Sequence, residues 1–285
     1  MKRSLMAGLI VVVVIVAAMM FSGCVEKEQE MGVAEIKAMV LANVEEVDTY
    51  KFDMNMAMKM LKGNETGEAE MTAISNGCGV VDLVDKKMKL NLNTSTERPK
   101  TEVPESTEME MYLVNNTLYL KMGLGIPQLP AQWTKREMPD EFWASQNQLG
   151  LQMELLNISE VELLEDERVN GVDCYVLKIV PDMNKFWDST MAAAMNKSAQ
   201  SLAPGVNLKK MLKSISSKEW IAKDTMYPMK TQMAISLVVS SDDLAIPETN
   251  EKITMTDYEE IEMRFYDYNK PVSIEFPEVA EGAVG

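Results

Sequence analysis

Thiols, thioethers and carboxylates are the reactive groups this sequence offers, because its 285 residues include no histidine. Without imidazole, the commonest general base, the usual partner of a nucleophilic Ser or Cys, and the commonest metal-binding nitrogen are all missing. No Gly-rich phosphate loop, Gly-x-Ser-x-Gly elbow or His-Glu-x-x-His pair occurs, and the carboxylates are too numerous for one pair to stand out as glycosidase machinery. The sequence reads as non-catalytic and without a cofactor. Methionine is the compositional outlier, with 26 residues. The alternating Met54, Met56, Met58 and Met60 have the softness that suits Cu(I). A half-buried strand explains that spacing without metal, however, and no His or nearby Cys completes a site. The acidic clusters Glu45-Glu46, Glu165-Asp166-Glu167, Asp242-Asp243 and Glu259-Glu260 lack the alternating donors and central Gly of a calcium loop. They read as solvated surface, and no metal is expected.

Unbranched, polarizable Met side chains adapt to apolar ligands of variable shape. The candidate lining of an apolar cavity is Phe52, Met54, Met56, Met58, Met60, Met88, Leu90, Met109, Met111, Trp187, Met233 and Ile235, and the partner it implies is a hydrophobic small molecule or lipid. A filled core is the alternative, since apolar stripes usually pack. Of the three cysteines, Cys78 and Cys174 form an even pair that is a candidate disulfide in an exported domain, with simple burial as free thiols the other reading. Five Asn-x-Ser/Thr sequons, at Asn64, Asn93, Asn115, Asn157 and Asn196, are candidate glycosylation sites.

Cys24 has a different setting. Lys2 and Arg3 open the chain, an uncharged apolar run follows from Leu5 to Phe21, and Ser22-Gly23 stand before the cysteine. These are the parts of a secretory signal over residues 1–23. The small residues before Cys24 resemble the lipobox of bacterial and archaeal lipoproteins, in which that thiol takes the lipid. Phe21 departs from the pattern's aliphatic position, and the apolar run is near the minimum for a bilayer span, so an uncleaved anchor is the alternative. Either way the chain is held at the extracytoplasmic face of the cell membrane. The formal charge is −16 and falls further once Lys2 and Arg3 are removed. Such a surface repels phosphate backbones and anionic headgroups, so nucleic acid is not a partner and the anchor itself must hold the protein at the membrane.

The elements that position these residues follow from periodicity. Residues 24–30 read as a spacer and 31–285 as one domain. Val33, Ile36, Val40, Val44 and Val47 mark a helix over 32–48. Period-two alternation marks strands at 50–60, 68–75, 79–84, 87–93, 108–114 and 117–122, with a break at Asn76-Gly77, a turn at Asn115-Asn116, and a long loop or flap from Asn93 to Ser106. A helix is expected over 139–156, opened by Pro139 and Asp140. A hairpin then turns at Asn170-Gly171, a helix runs from Asp182 to Leu202 and stops at Pro204-Gly205, and further strands lie at 217–222, 227–240 and 252–262, with an extended tail at 272–276. About ten amphipathic strands and a few helices predict an α+β fold with an antiparallel sheet curling over helices on one face.

Three late stretches carry a resemblance. They are Asn170-Gly171-Val172-Asp173-Cys174-Tyr175-Val176-Leu177, the hairpin from Trp220-Ile221 through Thr225 and Pro228 to Lys230, and the closing Phe265-Tyr266-Asp267-Tyr268-Asn269-Lys270-Pro271. With the lipobox and a first helix leading straight into strands, they resemble the lipoprotein-carrier superfamily of LolA and the mycobacterial LppX and LprG. The resemblance implies a strongly curved, unclosed antiparallel sheet, a half-barrel with helices plugging its concave side, and an apolar cavity for acyl chains between them. It carries over no catalytic residue, and no Arg here aligns with the cavity Arg of LolA. The anchored members imply lipid binding beside the membrane; an envelope interaction or sensory scaffold with a packed core, meeting a protein partner, is the rival.

Overall fold

The alternation after Tyr50 builds the central strand of an eleven-stranded sheet. The computed structural model describes residues 31–62, 69–99, 105–123, 131–138, 142–143, 146–202, 207–240 and 254–275. The leader, Cys24, Asn64, Pro139-Asp140 and Pro204-Gly205 lie outside them. In chain order the elements are α1 (Val33–Glu45), β1 (Thr49–Lys62), β2 (Ala69–Asp82), β3 (Lys87–Glu97), β4 (Glu105–Val114), β5 (Thr117–Gly123), β6 (Gln132–Glu137), α2 (Gln148–Asn157), β7 (Ser159–Val169), β8 (Val172–Pro181), α3 (Met183–Trp187), α4 (Thr190–Leu202), α5 (Leu208–Met211), β9 (Leu212–Ala222), β10 (Pro228–Ser240) and β11 (Thr254–Tyr266).

The strand order is β6-β5-β4-β3-β2-β1-β11-β10-β9-β8-β7, and every neighbouring pair is antiparallel. Two meanders are therefore joined by one long ladder, β1 with β11, running from Lys51↔Tyr266 to Lys62↔Met255. The edges β6 and β7 are neighbours in sequence but do not pair, so the curved sheet stays open as a half-barrel. The segment between them carries α2 back across the sheet. One core cluster takes Tyr50 and Phe52 from β1, Met88 from β3, Leu113 from β4, Phe265 from β11 and Leu149 from α2, with Val44 of α1 packed against it. That single cluster fixes both helices to the same side of the sheet, called here the helix face.

Local chemistry accounts for the turns. Asn115, Asn170 and Gly171 all have positive φ (52°, 52° and 84°), the backbone that two-residue hairpin loops demand. Asn147 caps α2, its side-chain Oδ1 accepting from the Gly150 N–H at 3.1 Å.

Several expectations need correction. Strand β2 runs unbroken through Asn76-Gly77: a Cβ on Gly77 would sit 2.8 Å from the Asn91 carbonyl oxygen and 2.9 Å from Leu92 Cδ1, so this glycine serves close strand packing and makes no turn. The expected loop over 93–106 is shortened by β3, which continues to Glu97, and by β4, which starts at Glu105. Strand β6 was not anticipated; its Lys135, Arg136 and Glu137 hide the alternation, as charges on edge strands do. The helix expected over 182–202 is two, α3 and α4. Two observations explain the break: the Ser189 hydroxyl accepts from the Ala192 N–H, and the Glu154 carboxylate of α2 accepts from the N–H groups of Thr190 and Met191, so the second helix starts afresh. Residues 271–275 form no strand.

Cys78 and Cys174 are free thiols. They sit on β2 and β8, five strand spacings or roughly 24 Å apart along the sheet, far beyond the Cα separation a disulfide allows. Cys174 is buried beside Val176 and Trp220, while Cys78 is exposed. Of the described sequons, Asn93, Asn115 and Asn157 are exposed and Asn196 is partly buried.

Candidate functional site

Register decides which side chains share the helix face. Met54, Met56, Met58 and Met60 of β1 stand opposite Met263, Ile261, Glu259 and Asp257 of β11, and those in turn face Thr231, Met233, Ile235 and Leu237 of β10. On the other flank, the same four methionines face Gly77, Ser75, Ala73 and Met71 of β2. Beyond this lane, small at Gly77, Ser75 and Ala73, stand Leu92, Thr94 and Thr96 of β3; Leu92 is followed by Met109 of β4, and Leu90, beside Gly79, by Met111.

The twelve proposed lining residues divide by burial. Phe52, Met88, Met111 and Ile235 are buried, the first three within the main core cluster. The ring of Phe52 fills the space above Gly79, where a Cβ would meet ring carbons at 2.3 Å. Met54, Met56, Met58, Met60, Leu90, Met109, Trp187 and Met233 are only partly buried. Trp187 stands apart, against Leu208 and Met211 of α5, together with Leu237 and Val239 of β10. One end of the face is therefore filled by aromatic rings, with Tyr50, Phe52, Phe265 and Tyr268 at centroid distances of 6.0 to 6.5 Å, while the methionine end is not.

Carboxylates stand on this face too. Glu219 of β9 is 0% exposed and lies between Leu177 and Thr231 in register. Neither of its carboxylate oxygens, nor the Ser217 hydroxyl two residues away, has a hydrogen-bond partner among the described residues. The Thr231 hydroxyl donates instead to Gln152 Oε1 of α2 at 2.8 Å, and Gln152 Nε2 reaches Met263 Sδ at 3.6 Å. Burial pushes the Glu219 carboxyl up to about 8, so it is held neutral at pH 7. Burial also raises Asp257, against the pull of the Tyr258 N–H, and it raises Glu259 with help from the Asp257 charge. The neutral Glu219 carboxyl therefore adds no charge to this face at pH 7. No group of three or more Cys, Asp or Glu among the described residues could hold a metal ion.

Glu219 and the small-residue lane escaped notice in the sequence. The spacing Ile215-x-Ser217-x-Glu219-x-Ile221 held the signal, because strict alternation places Glu219 on the side of two buried isoleucines. The lane could not be read, since it has meaning only beside β1 and β3.

No known family description and no curated protein matches the chain. Among solved structures it is similar to LppX of Mycobacterium tuberculosis (11% identity, 86% of this chain and 100% of that one, TM-score 0.38), to LprF of Mycobacterium bovis (11%, 86% and 97%, 0.41) and to a LolA superfamily protein of Nitrosomonas europaea (11%, 85% and 95%, 0.19). Among the described residues no helix is long and apolar enough to cross a membrane.

Proposed function

We propose that this chain is a non-catalytic extracytoplasmic carrier, tethered to the cell membrane through lipidated Cys24, that holds a hydrophobic ligand such as a lipid or acyl chain between the helix face and the helices. The observation that carries the reading is the partial exposure of Met54, Met56, Met58, Met60 and Met233 beside a lane of small residues, on the face that elsewhere packs a closed aromatic core. A finished core would bury them. Binding would draw on apolar burial at roughly 25 cal/mol per Å², with few polar contacts and so little chemical selectivity. The burial of Phe52, Met88, Met111 and Ile235 favours the second reading, an envelope interaction scaffold with a packed interior.

Uptake of a fluorescent acyl probe by the delipidated chain separates the two. Met56→Trp with Met58→Trp should abolish saturable uptake while the protein stays folded. Absence of uptake by wild type, with the Trp substitutions costing about 1–3 kcal/mol of stability from overpacking, overturns the carrier reading.

A further inference from the structure

The other side of the sheet, turned away from the helices, carries a cavity of about 580 Å³, a size usual for small-molecule sites. Register sets its chemistry. Ala234 of β10, Glu260 of β11 and Ala57 of β1 lie abreast across the floor, with Ile74 of β2 beyond them, 57% exposed. Leu164 of β7 stands at the opposite end. The floor is low because its residues are small, and the two aliphatic side chains close its ends.

Charge is separated along this trough. Lys178 of β8 and Lys218 of β9 are register partners at one end. Each Nζ has a single carboxylate partner, Glu162 at 3.0 Å and Glu167 at 2.9 Å, and that of Lys218 also lies 4.6 Å from the centre of the Trp220 ring; with three N–H donors, each ammonium keeps one for a further acceptor. Of the two carboxylates on β11, Glu262 is committed to Lys230, Arg264 and Gln232. Glu260 meets no cation among the described residues. From Lys218 to Glu260 is two strand spacings across and two residues along, roughly 12 Å.

We propose that this trough is a binding site, distinct from the helix face, for a zwitterionic ligand with its ammonium at Glu260 and its carboxylate at Lys178 and Lys218. The fitting class is a free oligopeptide of three or four small residues, whose extended length is roughly 10 to 14 Å. Its backbone would lie over Ala57 and Ala234, where larger floor residues would exclude it.

Calorimetric titration of the intact chain with alanine oligomers of increasing length tests this. Affinity should peak at three or four residues, and N-acetylation or C-amidation should each weaken it at least tenfold. Glu260→Gln, at an exposed position, should remove the penalty for N-acetylation alone, and Lys178→Met combined with Lys218→Met the penalty for C-amidation alone. Acyl-probe uptake should be unchanged in both variants. Equal affinity for capped and free peptides, a length-independent affinity, or no binding at millimolar peptide would each overturn the proposal.

Discussion

Glu219 makes a quantitative prediction. Its carboxyl is fully buried and unpaired among the described residues, which raises its pKa from 4.5 to about 8. The folded protein therefore binds a proton that the unfolded chain releases, so folding stability falls as pH rises from the unfolded pKa through the folded one. At about 1.4 kcal/mol per pKa unit the whole effect is about 5 kcal/mol, of which about 3 kcal/mol is lost between pH 4.5 and pH 7 and the rest by about pH 9. Glu219→Gln keeps the shape and removes the titration. Urea unfolding of both intact chains across this range should show the wild-type advantage shrinking, or reversing, by about 3 kcal/mol as pH reaches 7. Comparing the two cancels the opposite trend from Glu167, Asp173 and Asp267, whose hydrogen-bonded Lys or Arg partners hold their carboxyls below the ordinary value. A difference that stays flat with pH, or grows in favour of wild type, would show that Glu219 is ionised and partnered in the fold.

Two further outcomes follow from packing. Gly79→Ala drives a Cβ into the Phe52 ring and should destabilise the protein by about 1–3 kcal/mol, with Phe52→Leu restoring part of the loss; a neutral Gly79→Ala would mean the ring does not lie over that backbone. Cys78 should react with a thiol reagent in the native state, whereas Cys174, buried and with its thiol pKa raised by desolvation, should react only on unfolding; a bridged peptide after digestion would contradict the free thiols.

The sequence by itself determined what depends on near neighbours. Alternation from Tyr50 to Met60 gave β1 and its apolar side, Asn115-Asn116 and Asn170-Gly171 gave two hairpins, and the absence of histidine left an interior without imidazole chemistry. The antiparallel α+β plan followed, because short turns join most strands in order. Tertiary structure decided what distant residues do to one another. Gly77 reads as a turn until β3 presses against it, the run after Asp182 reads as one helix until Glu154 caps its second half, and only the sheet sets Cys78 and Cys174 on distant strands. Glu219 titrates as it does because the sheet buries it between Leu177 of β8 and Thr231 of β10, and the outer trough exists because alanines from β1 and β10 meet across β11. Local periodicity reports which side of a strand faces inward. The long ladder between β1 and β11, nearly the whole domain apart in sequence, joins the two meanders, and that pairing brings the methionines of β1 beside β11 and Ala57 beside Glu260 in the charged trough.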